Sequence, residues 1–152
     1  MMKTLIICTS IHHGNTRKIA EAMAGAMGAE IIGPKDMDPD ILDAYDLIGF
    51  GSGIYFGKHH ESLFTLVGNI LPHPKPVFIF STRGSPFGRR FHDPLKSCLS
   101  EKGYTIVGEF SCRGYDTYGP FRWIGGIARG KPDEKDLADA AVFARELVAK
   151  RS

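Results

Sequence analysis

Ser10, Gly14, Asn15 and Thr16 stand in the run "TSIHHGNT", where hydroxyl and amide donors flank a glycine that lets the backbone fold back. An apolar run, 5–8, precedes them and a stretch of helical period follows. At a helix N-terminus, unpaired N–H groups and a dipole worth about +0.5 charge converge on one point, which suits a phosphate. The same residues would also serve as an ordinary helix cap, through Asn15 or Ser10. A second cluster, "GSGIYFGKHH", sets Tyr55 and Phe56 between Gly53 and Gly57 directly after an apolar run, where a turn ordinarily carries polar residues. Aromatics between flexible glycines suit a flat ring, stacking on its face while the backbone reaches its edge. They would equally well cover the end of a sheet. Two further segments, "STRGSPFGRR" and "CRGYDTYGPFRW", complete a set rich in glycine, aromatic and basic residues.

Other chemistries fail on spacing. A phosphate-binding G-x-x-x-x-G-K-[ST] loop ending on Lys58 needs glycine where Ser52 stands and a hydroxyl where His59 stands. A dinucleotide G-x-G-x-x-G fails at Ile54 if it begins at Gly49, and at Phe56 if it begins at Gly51. The pairs His12-His13 and His59-His60 suggest a metal, but neighbouring residues rarely aim both imidazoles at one ion and nothing completes the donor set, so no metal is expected. "GFGSG" is not a nucleophile elbow, because glycines flank Ser52 directly. The cysteines Cys8, Cys98 and Cys112 are odd in number and widely spaced, which argues for reduced thiols, with Cys8 and Cys112 in the core.

The elements that must position these segments alternate between short apolar runs and helical periods, the signature of repeated βα units. Strands are predicted at 4–9, 29–32, 46–51, 76–81 and 104–111, mostly as continuous apolar runs suited to burial on both faces. Helical stripes follow at Ile19, Met23, Ala26 and Met27, at Leu63, Val67, Ile70 and Leu71, and at Phe91, Leu95, Cys98 and Leu99. A last stripe, Leu137, Ala140, Ala144, Leu147 and Val148, follows the acid-rich start "KPDEKD". Between the second and third strands, "GPKDMDPDILDAY" holds two prolines, so its helix is expected to be short or missing. The pattern predicts an α/β fold with a doubly wound five-stranded parallel sheet in the order 2-1-3-4-5. Ligands of such sheets sit outside the carboxyl ends of the strands, where the four chemistry-bearing segments fall.

At 152 residues, 43% hydrophobic and 24% charged, the chain is expected to form a single domain, 1–152. No apolar run approaches the ~20 residues that span a bilayer, and the start lacks a signal-peptide core, so a cytoplasmic protein without a membrane span is expected. A formal net charge of +2 is too small to imply a nucleic-acid partner.

The strand followed by "SIHHGNTRKIAEAM", and later "DLIGFGSGIYFGKHH", resembles the flavodoxin-like family, a three-layer sandwich whose members bind flavin mononucleotide (FMN). The resemblance implies a phosphate site at Ser10, His12, His13, Gly14, Asn15 and Thr16. It implies a ring site at Gly53, Ile54, Tyr55, Phe56 and Gly57, with Thr82, Arg83 and Gly84 at the far edge. Gly57 becomes the candidate for a peptide that turns toward the ring on reduction. This sequence departs from the electron-carrier members, since Ile11-His12-His13 precede Gly14 and set Ser10 one residue farther from it.

Those carriers are typically acidic around the flavin. Here Lys58, Arg83, Arg89, Arg90, Arg113, Arg122 and Arg129 lie in or near the ligand-face segments, which would favour an anionic reduced flavin. The resemblance implies an electron carrier meeting a redox partner protein, or a small flavin-dependent oxidoreductase acting on a quinone, NAD(P)H or a porphyrinogen-like substrate. Tyr115, Tyr118, Phe121 and Trp123 extend the segment after the fifth strand beyond what a carrier needs. A substrate lid, a homodimer contact and a cover for the sheet edge are three uses for it.

Overall fold

The computed structural model describes residues 2–10, 14–83, 90–113 and 132–151. Five strands run parallel in the order β2-β1-β3-β5-β6. They are β1 (Thr4–Thr9), β2 (Glu30–Ile32), β3 (Leu47–Tyr55), β5 (Pro76–Arg83) and β6 (Thr105–Arg113). A two-residue strand, β4 (Lys58–His59), turns back antiparallel along the end of β3. The predicted doubly wound order is therefore present, with one added hairpin at its ligand end.

Among the described residues four helices cover the two faces: α1 (Asn15–Met27), α2 (Glu61–Asn69), α3 (Asp93–Glu101) and α4 (Glu134–Arg151). On one face α1 and α4 pack Ile19, Ala20, Met23, Ala140, Ala144 and Leu147 against Ile6, Phe78 and Phe80. On the other, α2 and α3 pack Leu63, Val67, Leu95 and Leu99 against Ile7, Phe50 and Ile79. Each fully buried side chain of this size contributes roughly 1.5–3 kcal/mol. Helix α1 stops where predicted, at Gly28, whose φ of 65° is left-handed and whose N–H returns to the Ala24 carbonyl.

Two of the predicted stripes are shorter than their apolar periods. Helix α2 ends at Asn69, and although Ile70 stays buried, Leu71 is 79% exposed and lies outside the helix. Pro72 follows Leu71 and disfavours the helical conformation for it, so the stripe is broken there. Helix α3 begins at Asp93 with Pro94 in its first turn, which leaves Phe91 in the preceding turn. The crossover from β2 to β3 holds only two 3-10 turns, Pro34–Asp36 and Pro39–Ala44, as its prolines predict. The buried Lys75 ammonium donates to the Leu42 and Tyr45 carbonyls, at 2.6 and 2.7 Å, and so fastens the end of this segment.

The glycines of "GFGSG" have a packing role. Gly49 and Gly51 of β3 are register partners of Phe78 and Phe80 of β5, and those rings lie where a Cβ on either glycine would project. Large rings on one strand thus require bare backbone on the next. Among the described residues no helix is long and apolar enough to cross a membrane.

Candidate functional site

Parallel register brings the ends of β1, β3, β5 and β6 to one edge of the sheet, with Thr9 beside Ser52, Gly53 beside Thr82 and Arg83 beside Arg113. Alternation along β5 and β6 sorts their last side chains into two rows. Thr82 shares a face with Cys112, next to α1, whereas Ser81 and Arg83 share the opposite face with Glu109, Ser111 and Arg113.

On the α1 side, Gly14 caps the helix with φ 63° and ψ 25°, a left-handed conformation with open space around the Cβ position. Glycine is required there for its dihedral angles and not for want of room. No side chain caps the helix at Gly14, and its first turn carries no acid to offset the dipole. The Ser10 hydroxyl instead accepts from the Arg17 N–H, at 3.1 Å, the third amide of the first turn. Asn15 and Thr16 are buried, and the Thr16 hydroxyl meets that of Thr82 at 2.7 Å, joining the first and third ligand-face segments across 66 positions. His12, His13 and Gly84 lie outside the described residues, as do Arg89, Arg122, Arg129 and 115–131 of the aromatic segment.

The segment of Gly53 to Gly57 is not the loop that the glycines predict. β3 continues through Tyr55, and Tyr55 pairs with Lys58 across a two-residue turn in which Phe56 (φ 53°) and Gly57 (φ 80°) are both left-handed. This is the turn geometry that matches the twist of a tight hairpin. Backbone pairing with β4 gives the extended conformation a partner, and so overrides the local preference of the glycines. Tyr55 stands edge-on to the His60 ring at 5.4 Å and folds over Gly53, while Phe56 is 89% exposed at the tip. A bulky residue at positive φ carries about 1–2 kcal/mol of strain.

Beneath the hairpin the two histidines of "KHH" diverge. His60 Nδ1 accepts from the Ser62 N–H at 3.1 Å and caps α2, while its own N–H donates to Ser52 Oγ at 2.9 Å. His59 is buried, with Nε2 donating to the Phe80 carbonyl at 3.0 Å and Nδ1 left without a partner. Burial, reinforced by the neighbouring His92, pushes the His59 imidazole down to about 4. The rings of His59 and His92 lie 4.9 Å apart.

His92 joins a polar chain that the sequence reading did not find. Its Nε2 is 2.7 Å from Ser81 Oγ, and its Nδ1 is 3.0 Å from Glu109 Oε1. Ser81 Oγ in turn lies 2.9 Å from Ser111 Oγ, to which Arg83 Nη1 donates at 2.7 Å. At the outer end Lys96 donates to Glu109 at 3.0 Å. Burial lowers the His92 pKa against the opposing pull of Glu109. Partial burial would raise the Glu109 pKa, yet the hydrogen bonds from Lys96 and His92 hold it below the usual carboxylate range. The available signal was the alternation in "EFSCR", which puts Glu109, Ser111 and Arg113 on one face of β6.

Taken together, these residues can hold an anion at the start of α1 and a polar-edged ring between β3 and β5. Among the described residues the Arg83 Nε is buried with no hydrogen-bond acceptor, a donor left over at that edge. Arg113 is its register partner on β6, so two basic residues stand at neighbouring strand ends. Nucleophilic thiol chemistry is disfavoured at Cys8, whose pKa burial pushes up to about 12.

Comparison with known proteins agrees with this architecture. An uncharacterized protein of Methanocaldococcus jannaschii is 49% identical over 148 residues, covering 97% of this chain and 99% of that protein. A flavodoxin from the domain Archaea superposes with a TM-score of 0.75 at 21% identity, covering 98% of each chain. Oxidised flavodoxin 1 from Bacillus cereus gives 0.73 at 19% identity, covering 99% of each. The pattern that defines the flavodoxin domain matches residues 6–93, from β1 to the start of α3, and the chain belongs to that family.

Proposed function

We propose that this protein is a redox protein that binds FMN at the carboxyl ends of β1, β3 and β5, works as a small electron carrier, and is one cytoplasmic domain spanning 1–152. Bound FMN would supply reversible uptake of electrons, and the protein would hold the cofactor, orient it and set the charge around it. The carrying observation is the meeting of Thr16 with Thr82 at 2.7 Å, which brings the start of α1 to the end of β5. Ser10, Gly14, Asn15 and Thr16, with His12 and His13, would surround the phosphate. Gly53 to Gly57 would flank the ring, and Thr82, Arg83 and Gly84 would meet its far edge. The unpartnered Arg83 Nε–H fits an acceptor there.

The adjacent Arg83 and Arg113 favour a second reading, an oxidoreductase whose basic edge receives a quinone, NAD(P)H or a carboxylated substrate. Both readings need FMN, so its titration into the purified protein comes first. Quenching of flavin fluorescence with a bound stoichiometry of about one is the expected result. Gly14→Ala should weaken binding about tenfold, because a Cβ at φ 63° costs about 1 kcal/mol or more and turns the N–H groups away. A protein that acquires no visible absorbance with excess FMN sinks the proposal. Turnover of NADPH with a quinone would then assign the enzyme, whereas reduction only through a partner reductase would assign the carrier.

A further inference from the structure

The chain Arg83, Ser111, Ser81, His92 and Glu109 runs from the strand ends to the surface beside α3, and only Arg83 among these belongs to the proposed flavin site. Ser81, His92 and Glu109 have the spacing of a nucleophile with its base and orienting acid. Ser81 is only 1% exposed, however, so no substrate carbonyl reaches its Oγ. What remains is a line of hydrogen bonds whose direction can be derived.

Both ends of the line are one-way, since a guanidinium only donates and an ionised carboxylate only accepts. Glu109 is ionised, so His92 Nδ1 carries the hydrogen and donates to it. The neutral ring then leaves Nε2 bare, and Nε2 accepts from the Ser81 hydroxyl. Ser81 accepts from Ser111, and Ser111 accepts from Arg83. With His92 neutral, both serine hydrogens point inward.

A proton taken from water onto Nε2 reverses the line. Nε2 now donates to Ser81, and the Ser81 hydrogen turns to Ser111. Ser111 is then accepting from both Ser81 and Arg83, so it turns its own hydrogen outward. Apart from the new N–H bond, nothing covalent changes. Ser111 is exposed and lies beside Arg83, at the edge where the ligand is placed.

We propose that this line is a proton-sensing relay: charging His92 presents one additional hydrogen-bond donor, the Ser111 hydroxyl, to a ligand acceptor beside Arg83. It rests on the FMN reading of the site and adds a regulation to it. His92 is a positioning residue in this account. The groups that face it are Ser81 and Arg83 from β5, Glu109 from β6, His59 from β4 and Lys96 from its own helix. Glu109 draws the proton in, and the two cations oppose it.

FMN titrations of the wild-type protein and Ser111→Ala, at about pH 7.5 and about pH 5, test the relay. The cofactor phosphate titrates in both proteins and cancels in their ratio. Between the two pH values the wild-type affinity should gain about fivefold over that of Ser111→Ala, the factor supplied by one hydrogen bond of ordinary net strength. NMR of the His92 ring gives the second readout. By reciprocity FMN must raise the His92 pKa in the wild-type protein by the same factor, and leave it unmoved in Ser111→Ala. In Glu109→Gln, which keeps an acceptor for Nδ1 but loses the charge, the extra affinity should move to lower pH. FMN binding with no pH dependence beyond that of Ser111→Ala, and an unmoved His92 pKa, overturns the relay and leaves the flavin reading standing. No FMN binding at either pH overturns both.

Discussion

The two helical layers treat the ends of the same strands differently. Toward α1 and α4, the described end of the sheet carries a hydroxyl pair, Thr16 with Thr82, above the stacked rings of Phe78 and Phe80. Toward α2 and α3, two buried imidazoles and two serine hydroxyls reach from the edge to a surface carboxylate. The first side holds a fixed shape, while the second can change its protonation. Neighbouring residues of one strand take opposite parts, because the pleat sends Ser81 one way and Thr82 the other.

Breaking the apolar side should cost most. A Cβ in Gly51→Ala falls on the Phe80 ring, which is buried and has no room to withdraw. Overpacking of this kind should destabilise the protein by at least about 3 kcal/mol in urea unfolding. A loss below about 1 kcal/mol would mean that the rings move freely and that this side is not fixed.

Acid should act on the other side. His59 is neutral when folded, with its pKa lowered to about 4 by burial from the ordinary 6.5. The unfolded chain therefore binds more protons between those values, and stability falls as pH drops from 6.5 toward 4, by about 3 kcal/mol from this group alone. His59→Gln keeps a donor for the Phe80 carbonyl and does not titrate. Its stability should be flatter over this window, as followed by thermal melts, and an unchanged pH profile would place the acid sensitivity elsewhere.

The smallest effect concerns the hairpin at the end of β3. Phe56→Asn replaces a strained bulky residue with the one that best tolerates φ 53° before a glycine. Stability should rise by about 1 kcal/mol while FMN affinity falls. A gain in stability with unchanged affinity would show that Phe56 strains the turn without serving the ring.

Periodicity made the parallel order, the interruption of the β2–β3 crossover and the Gly28 stop legible, because each rests on local chemistry: apolar runs, prolines and one left-handed cap. The end of α2 at Asn69 and the start of α3 at Asp93 escaped the apolar stripes because prolines outranked them. The hairpin escaped because β4 is two residues long, too short for any period to register. Of the site, the residues near Gly14 were readable from a single loop. His92 and Glu109 were not, since they are 17 positions apart and meet only when α3 packs against β6. That the adjacent His59 and His60 rings part company is legible from their spacing, but not that packing turns the His59 ring inward while His60 caps α2.

Lys75 carries a separate consequence. The segment that stands where the doubly wound fold usually has a crossover helix is held by the buried side chains of Met37, Leu42 and Tyr45 and, at its end, by one ammonium from the foot of β5, on the Leu42 and Tyr45 carbonyls. Such a stretch can detach without disturbing the parallel pairing beside it, so its amides should exchange with solvent through a partial opening that costs less than global unfolding. The protein then has a seam at its second crossover, closed by three buried side chains and one lysine.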